Sequence, residues 1–152
     1  MDPYHETVHI LMGAQANPPA LFNEGFATYM SERLGAHGLE SLGGGQSSIY
    51  QRVRELKSKN EWIPLEELIT YTEIGPGWSR PLVAYPEAES FVKYLIDTYG
   101  KDKFLQAYKQ LLNSSSKQVQ ERNIEKLINI YGKSLKEHER QWEETFMKSQ
   151  SQ

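Results

Sequence analysis

Residues 5–35 read HETVHILMGAQANPPALFNEGFATYMSERLG. Their breaks decide the fold. Two stretches without internal proline flank Asn17-Pro18-Pro19, and Gly13 and Gly35 mark where each ends. The spacing predicts one helix from Asp2-Pro3 to about Gly13. There Asp2 accepts from the first orphan amides and Pro3 fits the first helical position. A second helix is predicted through ALFNEGFATYMSERL, stopping at Gly35.

The same grammar extends along the chain. GAHGLESLGGGQSS, with Gly43-Gly44-Gly45, reads as a loop. Ile49, Val53 and Leu56 recur at helical spacing after Ser47-Ser48. EWIPLEELIT reads as a turn into a short helix, and Tyr71 to Pro81 as irregular, broken by Gly75-Pro76-Gly77. EAESFVKYLIDTYG is expected to be a helix ending at Gly100, with Ala88, Phe91, Val92 and Leu95 as its apolar stripe. KDKFLQAYKQLLN follows, then a break at Ser114-Ser115-Ser116, then ERNIEKLINIYG and SLKEHERQWEETF. Ser134 with Glu137 makes a capping box for the last helix. Six or seven helices and no strand point to a mainly α fold. It forms a single domain over 1–152, with a helix pair at about 2–34 and a bundle at about 84–147.

Charge and composition narrow the function. The 152 residues carry 17 basic and 20 acidic side chains, a net charge of −3. That argues against nucleic-acid partners and anionic membranes, which need a concentrated positive field. The densest basic run, RVRELKSK at 52–59, also holds Glu55 and reads as the solvated face of a helix. The absence of cysteine excludes disulfides and thiolate chemistry. No apolar run reaches membrane-span length. Compartment stays open: secreted or cell-envelope if the chain is cut from a longer precursor, cytoplasmic otherwise.

HETVH carries the chemistry. Residues four apart share one helical face, so His5 and His9 can converge on one zinc ion. Glu6 is offset from that face and suits a general base for a metal-activated water. A third ligand is needed, and Glu24 is the candidate. Fourteen residues lie between His9 and Glu24, enough for a turn and the start of a second, antiparallel helix. Gly25 would permit close approach to the first helix. Thr28 and Ser31 lie on roughly the face of Glu24. Either can hydrogen-bond a histidine ring, or its own backbone and water. Asn23 is a candidate for binding substrate backbone. His37 and His138 read as surface residues.

HETVH followed by FNEGFATY resembles the gluzincin class of zinc metallopeptidases, especially its peptidase MA-like and aminopeptidase N-like groups. The resemblance implies His5, His9 and Glu24 as ligands of one Zn2+, and Glu6 as the base in peptide-bond hydrolysis. AYPEAESFVKYLIDTYGKDKF resembles the segment after the zinc site in those families. There a tyrosine ahead of an amphipathic helix donates to the oxyanion. Tyr85 matches that position, with Tyr71 as a rival, and Tyr85 as an ordinary core or surface tyrosine the alternative. IEKLINIYGKSLKEHERQWEETF resembles the end of peptidase MA-like domains, with Trp142 expected to be buried.

In gluzincins a β-sheet subdomain precedes the zinc helix and pairs with extended substrate. Only Met1 to Tyr4 stand before HETVH here. The expectation is therefore the helical C-terminal subdomain of a gluzincin-type zincin, with the upstream sheet absent from this chain. The aminopeptidase glycine-methionine-glutamate-asparagine motif is also missing, so that specificity does not carry over. Three functions remain: a zinc peptidase or its catalytic core acting on peptides or proteins, a zinc-stabilised but catalytically weak folding or binding module, and a metal-free helical interaction domain.

Overall fold

The breaks at Gly13, Asn17-Pro18-Pro19, Gly100, Ser114-Ser115-Ser116 and Gly132 fall at helix ends in the computed structural model, which describes residues 3–13, 16–34, 49–75 and 77–148. The fold is mainly helical, and no strand occurs among the described residues. The helices are α1 (Pro3–Gly13), α2 (Ala20–Leu34), α3 (Ile49–Ser58), α4 (Leu65–Leu68), α5 (Pro81–Tyr99), α6 (Lys101–Gln110), α7 (Lys117–Tyr131) and α8 (Leu135–Lys148). That makes eight among the described residues, against the six or seven expected; the short helix anticipated in EWIPLEELIT is the single turn of α4. Gly77–Ser79 forms a 3-10 turn inside the segment expected to be irregular. None of these helices is long and apolar enough to cross a membrane. Asp2, Gly35, the 36–48 segment with His37 and Gly43-Gly44-Gly45, and Pro76 lie outside the described residues.

The centre of the assembly is α5. Ala88, Phe91, Val92 and Leu95, the predicted stripe, are all buried, and so are Val83, Ala84 and Tyr94. A helix buried on more than one side needs neighbours on more than one side. α2, α3, α6 and α8 all pack on it. Trp142 of α8 is fully buried, as expected. Its ring lies 5.1 Å from Phe91 and 5.0 Å from Trp62, and its Nε1 donates to Ser90 Oγ at 3.1 Å.

Two sequence readings need correction here. Gly25 does permit a close approach, but the neighbour is α5, not α1. A Cβ on Gly25 would stand 2.6 Å from the Ala88 carbonyl oxygen and 2.8 Å from Val92 Cγ2. His138 is a core residue, not a surface one, with 1% of its surface exposed. It shares one face of α8 with Trp142 and Phe146, four and eight residues on.

The helix carrying Glu24 is pinned at its start. Ala20 N–H donates to the Tyr71 carbonyl at 3.2 Å. Asn113 holds the same corner, its N–H donating to the Asn17 carbonyl (2.8 Å) and its Nδ2 to the Thr72 carbonyl (2.9 Å).

Candidate metal centre

On α1 the four-residue spacing sets His5 and His9 on one face, and α2 packs against that helix. Glu24 lies in the second turn of α2. Three atoms meet: His5 Nε2, His9 Nε2 and Glu24 Oε1, each 3.0 Å from the other two. The group is half-buried, and it is the set of histidine and acidic side chains among the described residues able to hold a metal ion.

The donor set fits zinc. Bonds of about 2.0–2.1 Å in a tetrahedron separate ligand atoms by about 3.3–3.4 Å. The observed triangle is within a few tenths of an ångström of that. Its protonation points the same way. Thr28 Oγ1 donates to the Glu24 carbonyl at 2.9 Å and lies 3.4 Å from His5 Nδ1. With its proton committed, the hydroxyl can only accept from the ring, so the network puts the His5 hydrogen on Nδ1. Nε2 is then a bare lone pair facing a second imidazole nitrogen and a carboxylate. One cation satisfies all three, whereas a proton satisfies only a pair at a time.

The charges inside the cluster agree. Burial acts to raise the Glu24 carboxyl, but the contacts and charges of the His5 and His9 rings beside it overcome that and hold the group down at about 2. The bond to Glu24 raises His9 against the opposing effect of its own burial. Glu24 is thus a carboxylate at any physiological pH, as a metal ligand must be.

Glu6 is exposed and lines an open cleft with His9, Asn23, Glu24 and Tyr108. It stands beside the cluster, and its carboxylate is not one of the three converging groups. Asn23 lines the same cleft, but its Nδ2 donates to the Pro18 carbonyl at 2.9 Å. This amide therefore braces the turn into α2. Of the two hydroxyls, Thr28 makes the histidine contact; Ser31 is buried farther along α2.

Tyr85 sits differently from the expectation. It lies within α5, which begins at Pro81 and continues through Pro86. Its ring is 6.3 Å from that of His5, edge-on, so it does border the centre. Its hydroxyl donates to the Ile74 carbonyl at 3.1 Å. Burial raises its pKa, with the charges of Glu24 and Glu6 adding to the effect. Tyr71, the rival, is buried with its ring 5.3 Å from Trp78. Sequence reasoning missed Tyr108, a buried tyrosine on the cleft wall. Burial and the nearby Glu24 charge push its hydroxyl up to about 12. Nothing in its local spacing marks it out from the other tyrosines.

Compared with known protein families, with curated proteins and with solved structures, the chain matches none.

Proposed function

We propose that this chain is the helical catalytic part of a zinc-dependent peptidase. The observation that carries the proposal is the convergence of His5 Nε2, His9 Nε2 and Glu24 Oε1 at mutual distances of 3.0 Å. The resemblance of HETVH and FNEGFATY to gluzincins adds to it. His5, His9 and Glu24 would hold one Zn2+. When bound, the ion would polarise the scissile carbonyl and make water acidic enough to react near neutral pH.

The chain's own residues have the remaining tasks. Glu6, exposed in the cleft beside His9, takes a proton from water and delivers it to the leaving amine. Thr28 holds the His5 ring with Nε2 turned to the centre. Tyr85 borders the site, and a turn of its hydroxyl away from Ile74 would let it donate to the developing oxyanion.

That hydroxyl also favours a second reading. With its one proton held by the Ile74 carbonyl, the oxyanion donor is not aimed at the centre. This supports a zinc-stabilised, catalytically weak fragment that acts as a folding or binding module. One experiment separates the two. The purified chain should carry about one zinc, cleave unstructured peptides, and lose cleavage but not zinc in Glu6→Gln. Undiminished cleavage in that variant would sink the peptidase mechanism. Bound zinc with no turnover in the parent chain would leave the module.

A further inference from the structure

A pocket opens from the edge of the metal centre into the groove between α2 and α5. Thr28, which contacts His5, and Tyr85, whose ring borders it, both line this pocket. One turn on from each, along the same two helices, stand Glu32 and Glu89, also in its lining. Apolar surface from Ile49, Pro81, Leu82 and Pro86 completes the walls.

Glu89 is the unusual group. Only 3% of it is exposed, yet its hydrogen-bond partner is another carboxyl, that of Glu32 at the exposed rim. The charges of Arg52 and Lys93 act against the effect of burial on Glu89 without overcoming it. Lys93 is committed to Asp97 at 2.7 Å, and among the described residues no ion pair joins Arg52 to either carboxyl. Arg52 lines the pocket but is itself exposed. Burial pushes Glu89 up to about 10, and the bond to Glu32 adds to the rise. Two carboxyls in contact share one proton near neutrality. A buried acid in a cleft beside the candidate metal centre is a candidate recognition group.

We propose that this pocket receives the cationic side chain, lysine or arginine, of a substrate residue flanking the scissile bond, with Glu89 as its recognition group. The inference rests on the peptidase reading of the adjoining centre. The apolar walls suit the methylene stem of such a side chain, and the carboxyl pair suits its charged head. On entry of the cation, the shared proton leaves to solvent and both carboxyls become acceptors. Arg52, at the rim, sets a limit on how much positive charge the mouth admits.

The test has two arms. In the first, metal is removed by chelation and the binding of acetyl-arginine amide and acetyl-leucine amide is followed by NMR. The arginine compound should bind at least about tenfold more tightly, as loss of a charged hydrogen-bond partner at a buried site implies. Glu89→Gln should erase that difference, since it keeps the shape of the protonated acid. Glu32→Gln, at the exposed rim, should reduce it and leaves the core untouched. In the second arm, zinc-loaded protein is given paired peptides with arginine or leucine at the flanking positions. The arginine-to-leucine ratio of kcat/KM should fall about tenfold or more in Glu89→Gln. Equal binding of the two amides by the parent chain would overturn the proposal, as would a ratio indifferent to both substitutions. If the amides discriminate but no peptide is cleaved, the pocket stands and the peptidase reading falls. If peptides are cleaved without preference and the amides bind alike, the reverse holds.

Discussion

His5 on α1 and His138 on α8 use the same device to opposite ends. Each ring lies against a hydroxyl through Nδ1: Thr28 for His5 at 3.4 Å, Tyr94 for His138 at 3.0 Å. Each hydroxyl has its proton engaged elsewhere, by the Glu24 carbonyl in one case and by Gln141 Oε1 in the other. Both networks therefore place the ring hydrogen on Nδ1 and leave Nε2 bare. What Nε2 then meets differs. At His5 it meets His9 and Glu24. At His138 it is buried with no partner, amid Phe91, Tyr99 and Tyr131. One site gathers three electron-pair donors that could hold a cation, while the other leaves a single nitrogen among aromatic rings. The surroundings, not the residue type, decide which histidine can serve as a ligand.

The largest test of this contrast removes the aromatic support on the α8 side. Trp142→Ala should destabilise the fold by about 3–5 kcal/mol, read from urea unfolding. Trp142 packs on Trp62, Phe91 and Phe146, none of them in the metal cluster. Zinc affinity of the molecules that remain folded should therefore be unchanged. A parallel loss of zinc affinity would show that the two regions are one cooperative unit.

Next in size is the acid response of His138. Burial lowers its pKa to about 4, with the charge of Lys133 assisting. An unfolded histidine titrates near 6.5, so protons favour the unfolded chain. The stabilisation is complete above about pH 6.5 and is lost as pH falls through 4, a span worth about 3 kcal/mol. His138→Gln should flatten that part of the stability profile. Glu87, raised by burial to about 9, works in the other direction. Its contribution is present below about pH 4.5 and lost as pH rises toward 9. Comparison of parent and variant isolates His138; an unaltered acid slope in the variant would assign it elsewhere.

The two histidine sites were not equally legible. His5, His9 and Glu24 stand within 20 residues and two helices, so spacing and one turn were enough to bring them together. His138 was obscured by its charged neighbours in SLKEHERQWEETF. The signal lay in the four-residue steps from His138 to Trp142 to Phe146, which mark a core face. The resemblance implied a tyrosine ahead of its helix, and Tyr85 does not stand there. In fact Pro81 holds the first helical position, and Pro86 falls in the second turn, near exposed Leu82. The neighbour of Gly25 could not be read at all. A missing side chain announces a close approach, but only the packing of α2 on α5 says whose.

A smaller effect tests the tautomer argument on the α1 side. Thr28→Val keeps the side-chain shape and removes the hydroxyl that His5 Nδ1 contacts. Without that acceptor the ring can turn or move its hydrogen to Nε2. Zinc affinity should fall about 10- to 100-fold, measured by competition with a chromophoric chelator. Metal-free thermal stability should change little. Unaltered affinity would mean that the 3.4 Å contact does not orient the ring.

The smallest expected effect lies on the α8 side, at the helix start that sets the register of His138. Glu137 N–H donates to Ser134 Oγ at 3.2 Å, and Ser134 N–H donates to Glu137 Oε1 at 3.0 Å. The box satisfies two backbone donors before the first core residue of α8. Ser134→Ala removes one acceptor and should destabilise by about 1 kcal/mol, seen as a lower urea midpoint with an unchanged slope. Fraying of the first turn would loosen His138, which is one turn from Ser134 and donates its backbone N–H to the Ser134 carbonyl at 3.0 Å. The acid slope assigned to His138 should therefore weaken slightly in Ser134→Ala, while zinc affinity stays fixed. A change in zinc affinity from so remote a cap would mean that α8 holds α5, and through it α2, in the position that aims Glu24.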